Sequence, residues 1–153
     1  MACADLRKQI EMAFASTPRP GEGFDDISAT SEEDEGIVDY FRGTTWRGHR
    51  VQDLRHHCAA LSFFTGPAFR YWLPAFMLGS LEDAETADVI PEHIVSDMRR
   101  HERCSLFSED ESRAIAAFFA HCAEQSGGDP YRDLFKVAEE RILKRLGVHG
   151  QAP

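Results

Sequence analysis

The feature that most constrains this chain is an apolar and aromatic stretch from Ala59 to Leu81, AALSFFTGPAFRYWLPAFMLGSL. Arg70 is the only charged residue in it, so water is a poor solvent for almost all of its surface. A segment of this kind has to be buried, and the rest of the chain has to cover it. The sequence therefore predicts that this stretch forms the centre of a folded domain.

The expected environment of this stretch is the interior of a protein rather than a lipid bilayer. A helix from Pro67 to Leu81 would be ~22 Å long at ~1.5 Å per residue, whereas the hydrocarbon core of a bilayer is about 30 Å thick. An arginine inside that core is also costly. We therefore expect a core helix over about 67–81. Pro74 predicts either a kink or two helices end to end, because an internal proline removes a hydrogen bond.

Helical spacing of apolar residues predicts further helices on both sides of this segment. One covers about 4–15, a second about 32–41, and a third carries the stripe of Val51, Leu54, Cys58 and Leu61. The segment 82–88 is expected to be a loop, and 91–95 a short helical turn followed by a charged loop at 98–103.

The helix boundaries near the end of the chain are the clearest. Ser108 and Glu111 have the spacing of a capping box, and Pro130 is suited to the first turn of a last helix. The fold class is therefore all-α. We expect one compact domain over 1–153, an array of about six helices around the central apolar helix, with a frayed tail at 148–153.

Acidic residues are concentrated in one part of the chain, although the formal net charge of −9 belongs to the whole. The segment 21–41 contains no lysine or arginine and eight acidic residues: Glu22, Asp25, Asp26, Glu32, Glu33, Asp34, Glu35 and Asp39. The rest of the chain is nearly neutral. Nucleic acid is not an expected partner, because phosphate binding needs clustered cations. Glu32, Glu33, Asp34, Glu35 and Asp39 are the candidates for binding a basic protein, although a solvated helix face or an internal contact with Arg99, Arg100 and Arg103 would also explain them.

Histidines and cysteines suggest two chemistries, and neither is predicted. His101, Cys104, His121 and Cys122 could supply zinc ligands, but neighbouring residues on a helix point about 100° apart and do not converge on one ion. Cys58 follows two histidines but lies on an apolar stripe, where burial raises the pKa of a thiol. We therefore predict no metal, no cofactor and no catalytic residue. The first residues lack the pattern of a secretory signal, so the expected location is the cytoplasm, with no membrane partner.

Arg70 is the most informative single charge, because a guanidinium in an apolar run needs a carboxylate, carbonyl oxygens or a bound anion. One interpretation is an internal ion pair with an acid such as Asp88. The other is a pocket for an anion or a small molecule, floored by aromatic rings. The candidate residues of that pocket are Arg42, Trp46, Arg70, Tyr71 and Asp88.

Four segments of the chain resemble a family of small bacterial proteins classed as a domain of unknown function. They are FRGTTW, ALSFFTGPAFRYWLPAFMLGSLED, ADVIPEHIV and SLFSEDESRAIAAF. The family pattern is FRG-x-x-W, LSF-x-x-x-x-AFRYYLPAFL, DVI and FS-x-x-Q-x-x-A-x-x-x-F, and the resemblance covers about Ile10 to Phe119. Trp72 replaces a tyrosine of that pattern, and Glu111 replaces a glutamine. The resemblance implies a shared fold and a soluble bacterial setting, and it implies no activity.

Three functional hypotheses from different classes follow from these observations. The first is a non-enzymatic protein-interaction module, for example an inhibitor of the immunity or antitoxin type that covers a basic partner with its acidic face. The alternative is a small-molecule or anion-binding protein, or an enzyme, with a pocket that reaches Arg70. The third is an assembly module with a symmetric apolar interface. The sequence predicts no oligomeric state.

Overall fold

Within residues 1–30, 36–100, 102–128 and 130–147, which the computed structural model describes, the chain is all-α, as predicted. In chain order the helices are α1 (Cys3–Ala13), α2 (Phe24–Ile27), α3 (Ile37–Phe41), α4 (Val51–His56), α5 (Ala60–Phe63), α6 (Gly66–Glu82), α7 (Ala84–Ala87), α8 (Ile90–Arg100), α9 (Glu109–Gln125) and α10 (Tyr131–Arg145). A 3-10 turn, Arg103–Leu106, lies between α8 and α9. In the described ranges, extended pairing is limited to one isolated bridge between Ser28 and Phe64.

Helix α6 is the buried centre that the sequence predicts. Eleven of its 17 residues are buried, including Trp72, Pro74 and Phe76. The Thr65 hydroxyl caps its first turn by accepting a hydrogen bond from the Ala68 N–H at 3.2 Å. The helix continues through Pro74 without a break, so the alternative of two helices end to end is wrong. No helix in the described part of the chain is long and apolar enough to cross a bilayer.

The other helices surround α6. Helices α1, α4, α7 and α8 pack directly on it, while α9 packs mainly against α10 and α1. The interior is rich in aromatic rings, which bury large apolar areas. The phenylalanines with less than 2% exposure are Phe14, Phe41, Phe64, Phe69, Phe76, Phe118, Phe119 and Phe135.

Several predicted boundaries are wrong in instructive ways. The predicted third helix is two helices, α4 and α5, separated by His57 to Ala59. The predicted loop at 82–88 contains α7. Helix α8 continues to Arg100, past the turn predicted at 91–95, because Ile90, Ile94, Val95 and Met98 form a buried stripe. The predicted helix over 32–41 corresponds in the described residues to α3, Ile37–Phe41. The residues 31–35 and the tail 148–153 lie outside the described residues.

Arg103, which the sequence placed in a charged loop, is only 8% exposed. Its guanidinium donates to the carbonyl oxygens of Leu61 at 3.4 Å and Phe64 at 2.9 Å, and it lies 4.3 Å from the centroid of the Phe69 ring. Burial lowers the pKa of Arg103 from its ordinary value. These contacts satisfy the free carbonyls at the end of α5 and join that end to the 3-10 turn.

Asp97 is a second buried charge, with 2% exposure. Its carboxylate accepts hydrogen bonds from the Ser62 hydroxyl at 3.1 Å and from the Arg100 guanidinium at 2.8 Å. Because Ser62 lies in α5 and Asp97 in α8, this contact links the two helices. The interior of the protein therefore contains more paired charge than the single arginine of its apolar stretch suggests.

Candidate functional site

The loop at 44–50, between α3 and α4, is fixed at its first residue by hydrogen bonds. The Thr44 hydroxyl donates to the Phe41 carbonyl oxygen at 2.7 Å and accepts from the indole N–H of Trp72 at 3.1 Å. The Thr44 carbonyl oxygen accepts from the Arg19 guanidinium at 3.1 Å. The loop is thus attached both to the end of α3 and to the central helix.

His49 fixes the other end of the same loop. Its Nε2–H donates to the Thr45 carbonyl oxygen at 2.6 Å, and its Nδ1 lies 2.8 Å from the Tyr40 hydroxyl. In the neutral ring Nδ1 has no proton, so the Tyr40 hydroxyl is the donor. Burial lowers the pKa of His49, which favours this neutral form. Gly48, at φ 83°, gives the chain the left-handed turn that it needs just before the ring.

Trp46 and Arg47 project from this loop next to a cleft. Trp46 is 3% exposed, and the Arg47 guanidinium carbon lies 3.9 Å from the centroid of its ring, a cation–π contact. The cleft has a volume of about 490 Å³. Its wall residues include Arg7 and Glu11 of α1, Trp46 and Arg50 of the loop, and Leu78 and Glu82 of α6.

Arg70 forms an internal ion pair, but Asp88 is not its partner. Arg70 Nε lies 2.8 Å from Oε1 of Glu111, whose side chain is 2% exposed. The same oxygen accepts the backbone N–H of Ser108 at 2.8 Å, which completes the predicted capping box of α9. The other oxygen accepts the hydroxyl of Thr17. Asp88 instead lies 3.3 Å from Arg55 on the surface.

The residues predicted to form one anion pocket have separate partners in the structure. Arg42 Nε donates to the backbone carbonyl of Glu22 at 2.8 Å. Tyr71 is buried and lies under Arg19. Of the five candidates, Trp46 lines the cleft described above, whereas Arg42, Arg70, Tyr71 and Asp88 do not. The five candidates therefore do not line this cleft together.

The acidic candidates are described only in part. Glu32, Glu33, Asp34 and Glu35 lie outside the described residues, and Asp39 is exposed on α3. Glu22, Asp25 and Asp26 of the same segment are exposed too. None of these four described carboxylates forms an ion pair with another described residue. Their charges face solvent.

Two of the cysteines that the sequence singled out are held as protonated thiols by their surroundings. Burial raises the pKa of both Cys104 and Cys122, so both are thiols rather than thiolates at neutral pH. Within the described ranges, no group of three or more His, Cys, Asp or Glu side chains is placed to hold a metal ion. His101, one of the four residues considered for zinc, lies outside those ranges.

The sequence analysis missed the arginines of the cleft and the second role of Glu111. A capping box gives a glutamate a local role. Nothing within the motif shows that the same carboxylate also accepts a hydrogen bond from Arg70, 41 positions away. Arg7 and Arg47 are ordinary surface arginines by their sequence positions. The Trp46-Arg47 pair was the one available signal, since a guanidinium next to an aromatic ring commonly stacks on it.

Comparison with known proteins assigns the chain to a family by its sequence. The family described as Family of unknown function (DUF6714) matches residues 2–137. The chain belongs to this family. The resemblance to a domain of unknown function is confirmed at that level, while the bacterial setting remains a prediction. No curated protein and no solved structure matches the chain.

We expect Glu111→Ala to lower the free energy of unfolding by about 3–5 kcal/mol, because it removes the carboxylate that three donors share. Glu111→Gln should cost only about 1 kcal/mol. Its amide oxygen can still accept from Arg70 and Ser108, and its amide N–H₂ can donate to the Thr17 hydroxyl. Urea unfolding measures both effects. Asp110→Ala, at an exposed neighbour in the same turn, is the control and should cost less than about 1 kcal/mol. Equal losses for the alanine and glutamine variants of Glu111 would contradict this assignment.

Asp88→Gly should raise the free energy of unfolding by about 1 kcal/mol. Asp88 has φ 53° and ψ −104°, a conformation that glycine adopts with little strain and other residues do not. This relief exceeds the loss of the exposed pair with Arg55. Asp88→Ala loses the same ion pair but keeps the strain, so it should give no gain in thermal unfolding. A gain with alanine as large as that with glycine would show that the backbone is not the cause.

The free energy of unfolding should fall as the pH drops below the ordinary His49 pKa of 6.5. The folded protein holds this ring neutral, so the unfolded chain binds a proton first and protonation favours unfolding. His49→Gln should show a shallower decline of the free energy of unfolding over the same pH range, because this variant lacks the ring that only the unfolded chain protonates. Some decline can remain, since the other histidines are still present. Chemical denaturation at a series of pH values measures both slopes. Identical slopes would exclude His49 as the titrating group.

Proposed function

We propose that the protein is a non-enzymatic interaction module whose acidic segment, 21–41, binds a basic surface of another protein. The observation that carries this proposal is that Glu22, Asp25, Asp26 and Asp39 face solvent and have no ion-pair partner among the described residues. Unpaired exposed carboxylates accelerate encounter with a cationic partner and select against anionic ones.

The internal explanation of the acidic segment places it against Arg99, Arg100 and Arg103. Arg103 instead binds two carbonyl oxygens in the interior, and Arg100 pairs with Asp97. The Arg103 guanidinium is thus used in the interior, and this supports an acidic segment that contacts another molecule.

The pairing of Arg70 with Glu111 also supports an interaction role over the small-molecule alternative. That alternative needed the Arg70 guanidinium as an anion-binding group, and a buried carboxylate at 2.8 Å occupies its Nε–H. An anion that displaced Glu111 would leave a buried carboxylate unpaired, which is expensive.

Within the interaction class, the form we favour is an inhibitor of the immunity or antitoxin type, in which the acidic segment covers the basic working surface of a target.

Charge reversal tests this function. The variant carrying Glu32→Lys, Glu33→Lys, Glu35→Lys and Asp39→Lys should lose a partner that the wild-type protein recovers from the cells that produce it. With the purified partner, the affinity should fall on the order of 100-fold or more, because like charges would face each other. Wild-type binding should weaken as salt rises, since salt screens exposed charge.

The matched control changes the net charge equally at exposed acids of other helices. It carries Glu85→Lys, Glu124→Lys, Asp133→Lys and Glu140→Lys, and it should retain the partner. Recovery of a partner supports the proposal only if that partner is a basic protein and the complex re-forms from the purified components. A partner that survives the first variant, or is lost equally with both variants, would refute the acidic segment as the interface.

A further inference from the structure

The cleft beside Trp46 has the size of a small-molecule site. Its volume of about 490 Å³ lies within the roughly 300–1,000 Å³ that is usual for ligand pockets. Ala75, Leu78 and Gly79 of α6 give it an apolar wall. Helix α1 and the loop at 44–50 close its sides, so three separate parts of the chain contribute to it.

Three arginines line this cleft, in a chain whose net charge is −9. They are Arg7 from α1 and Arg47 and Arg50 from the loop, and they outnumber the two acids, Glu11 and Glu82. The lining thus has three guanidinium groups against two carboxylates, whereas acids outnumber bases in the chain as a whole.

Two of these guanidinium groups retain donors for a ligand. Arg47 stacks on the Trp46 ring and has no hydrogen-bond acceptor for its guanidinium among the described residues. Arg7 makes one long contact, from Nη1 to the Leu78 carbonyl oxygen at 3.5 Å. Arg50 is different, because both its Nε and its Nη2 donate to Asp53. Arg7 and Arg47 are thus the groups that can bind an oxyanion.

The loop that carries Arg47 holds a defined shape before any ligand arrives. His49 bonds to both the Thr45 carbonyl and the Tyr40 hydroxyl, and Thr44 bonds to Trp72 of the central helix. The stacking of Arg47 on Trp46 further limits its side-chain conformations. Fixed donors bind more tightly than mobile ones, because less conformational entropy is lost on binding.

We propose that this cleft binds a small organic anion, with Arg7 and Arg47 holding its phosphate or carboxylate group. Arginine suits both groups, since its planar fork of N–H donors matches two oxygens at once. The apolar wall on α6 accommodates the body of the ligand, and Glu11 and Glu82 can accept hydrogen bonds from its hydroxyl or amino groups. The inference uses neither Arg70 nor the acidic segment, so it stands or falls independently of the proposed function.

Fluorine NMR of protein labelled with 5-fluorotryptophan tests this site, because the chain has only two tryptophans. Trp46 lines the cleft, and Trp72 is buried against Thr44 as an internal reference. Trp46→Phe assigns the two signals. Titration uses inorganic phosphate and pyrophosphate in one arm and acetate and citrate in the other, with sodium chloride at matched ionic strength as the blank.

A saturable shift of the Trp46 signal, with the Trp72 signal unchanged, is the expected result in at least one arm, and the tighter arm identifies the preferred anion. Arg7→Gln and Arg47→Gln should each weaken that binding about 10-fold or more. Arg113→Gln, a surface control on α9 that pairs with Glu109, should leave it unchanged.

Arg47 is exposed and Arg7 is half-buried, so circular dichroism and thermal unfolding check that each variant remains folded. Shifts that merely follow ionic strength, or no saturation up to tens of millimolar of any probe, would overturn the proposal. Equal weakening by Arg113→Gln would do the same, because it would reveal a general charge effect rather than a site.

Discussion

The carboxylate of Glu111 is the contact on which much of the architecture depends. It accepts the N–H of Ser108 at the start of α9, the guanidinium of Arg70 in the central helix and the hydroxyl of Thr17 just beyond α1. One buried side chain thereby fixes the beginning of one helix against two other parts of the chain. A buried carboxylate is stable only when several donors surround it, so these three partners and Glu111 depend on one another. A glutamine at this position could keep the same three partners without the charge, with its amide N–H₂ donating to the Thr17 hydroxyl.

Local signals in the sequence predicted what local physics decides. The apolar stretch predicted α6, because no other location suits so much aromatic surface, and Ser108 with Glu111 predicted the start of α9. Helix α8 was predicted too short for a related reason. Its end carries Arg99 and Arg100, which resemble a charged loop, although Met98 continues the buried stripe directly before them. Periodicity would have given the full helix had it been weighed above charge.

Contacts between distant residues were out of reach of the same reasoning. A buried arginine had to have an acceptor, and that requirement was correct for Arg70. Which acceptor it would find depended on how α6 and α9 pack, and the spacing of residues holds no information about that packing. The nearby Asp88 was the obvious candidate, but it lies on the surface beyond the end of α7. Arg103 is a second example of a contact that spacing does not predict. It comes from a charged run of the sequence, yet it lies in the interior and donates to carbonyl oxygens at the end of α5.

The arginines of this protein divide by what they bind, and that division bears on function. Arg70 and Arg103 are used by the fold, since each has internal acceptors whose loss would leave a buried group unsatisfied. Arg7 and Arg47 have no comparable acceptor among the described residues, and they line the same cleft from a helix and from a fixed loop. The described carboxylates of the acidic segment, Glu22, Asp25, Asp26 and Asp39, face solvent without an ion-pair partner among the described residues. One chain can therefore offer two kinds of surface, guanidinium donors in a cleft and exposed carboxylates on another segment, and each suits a different kind of partner.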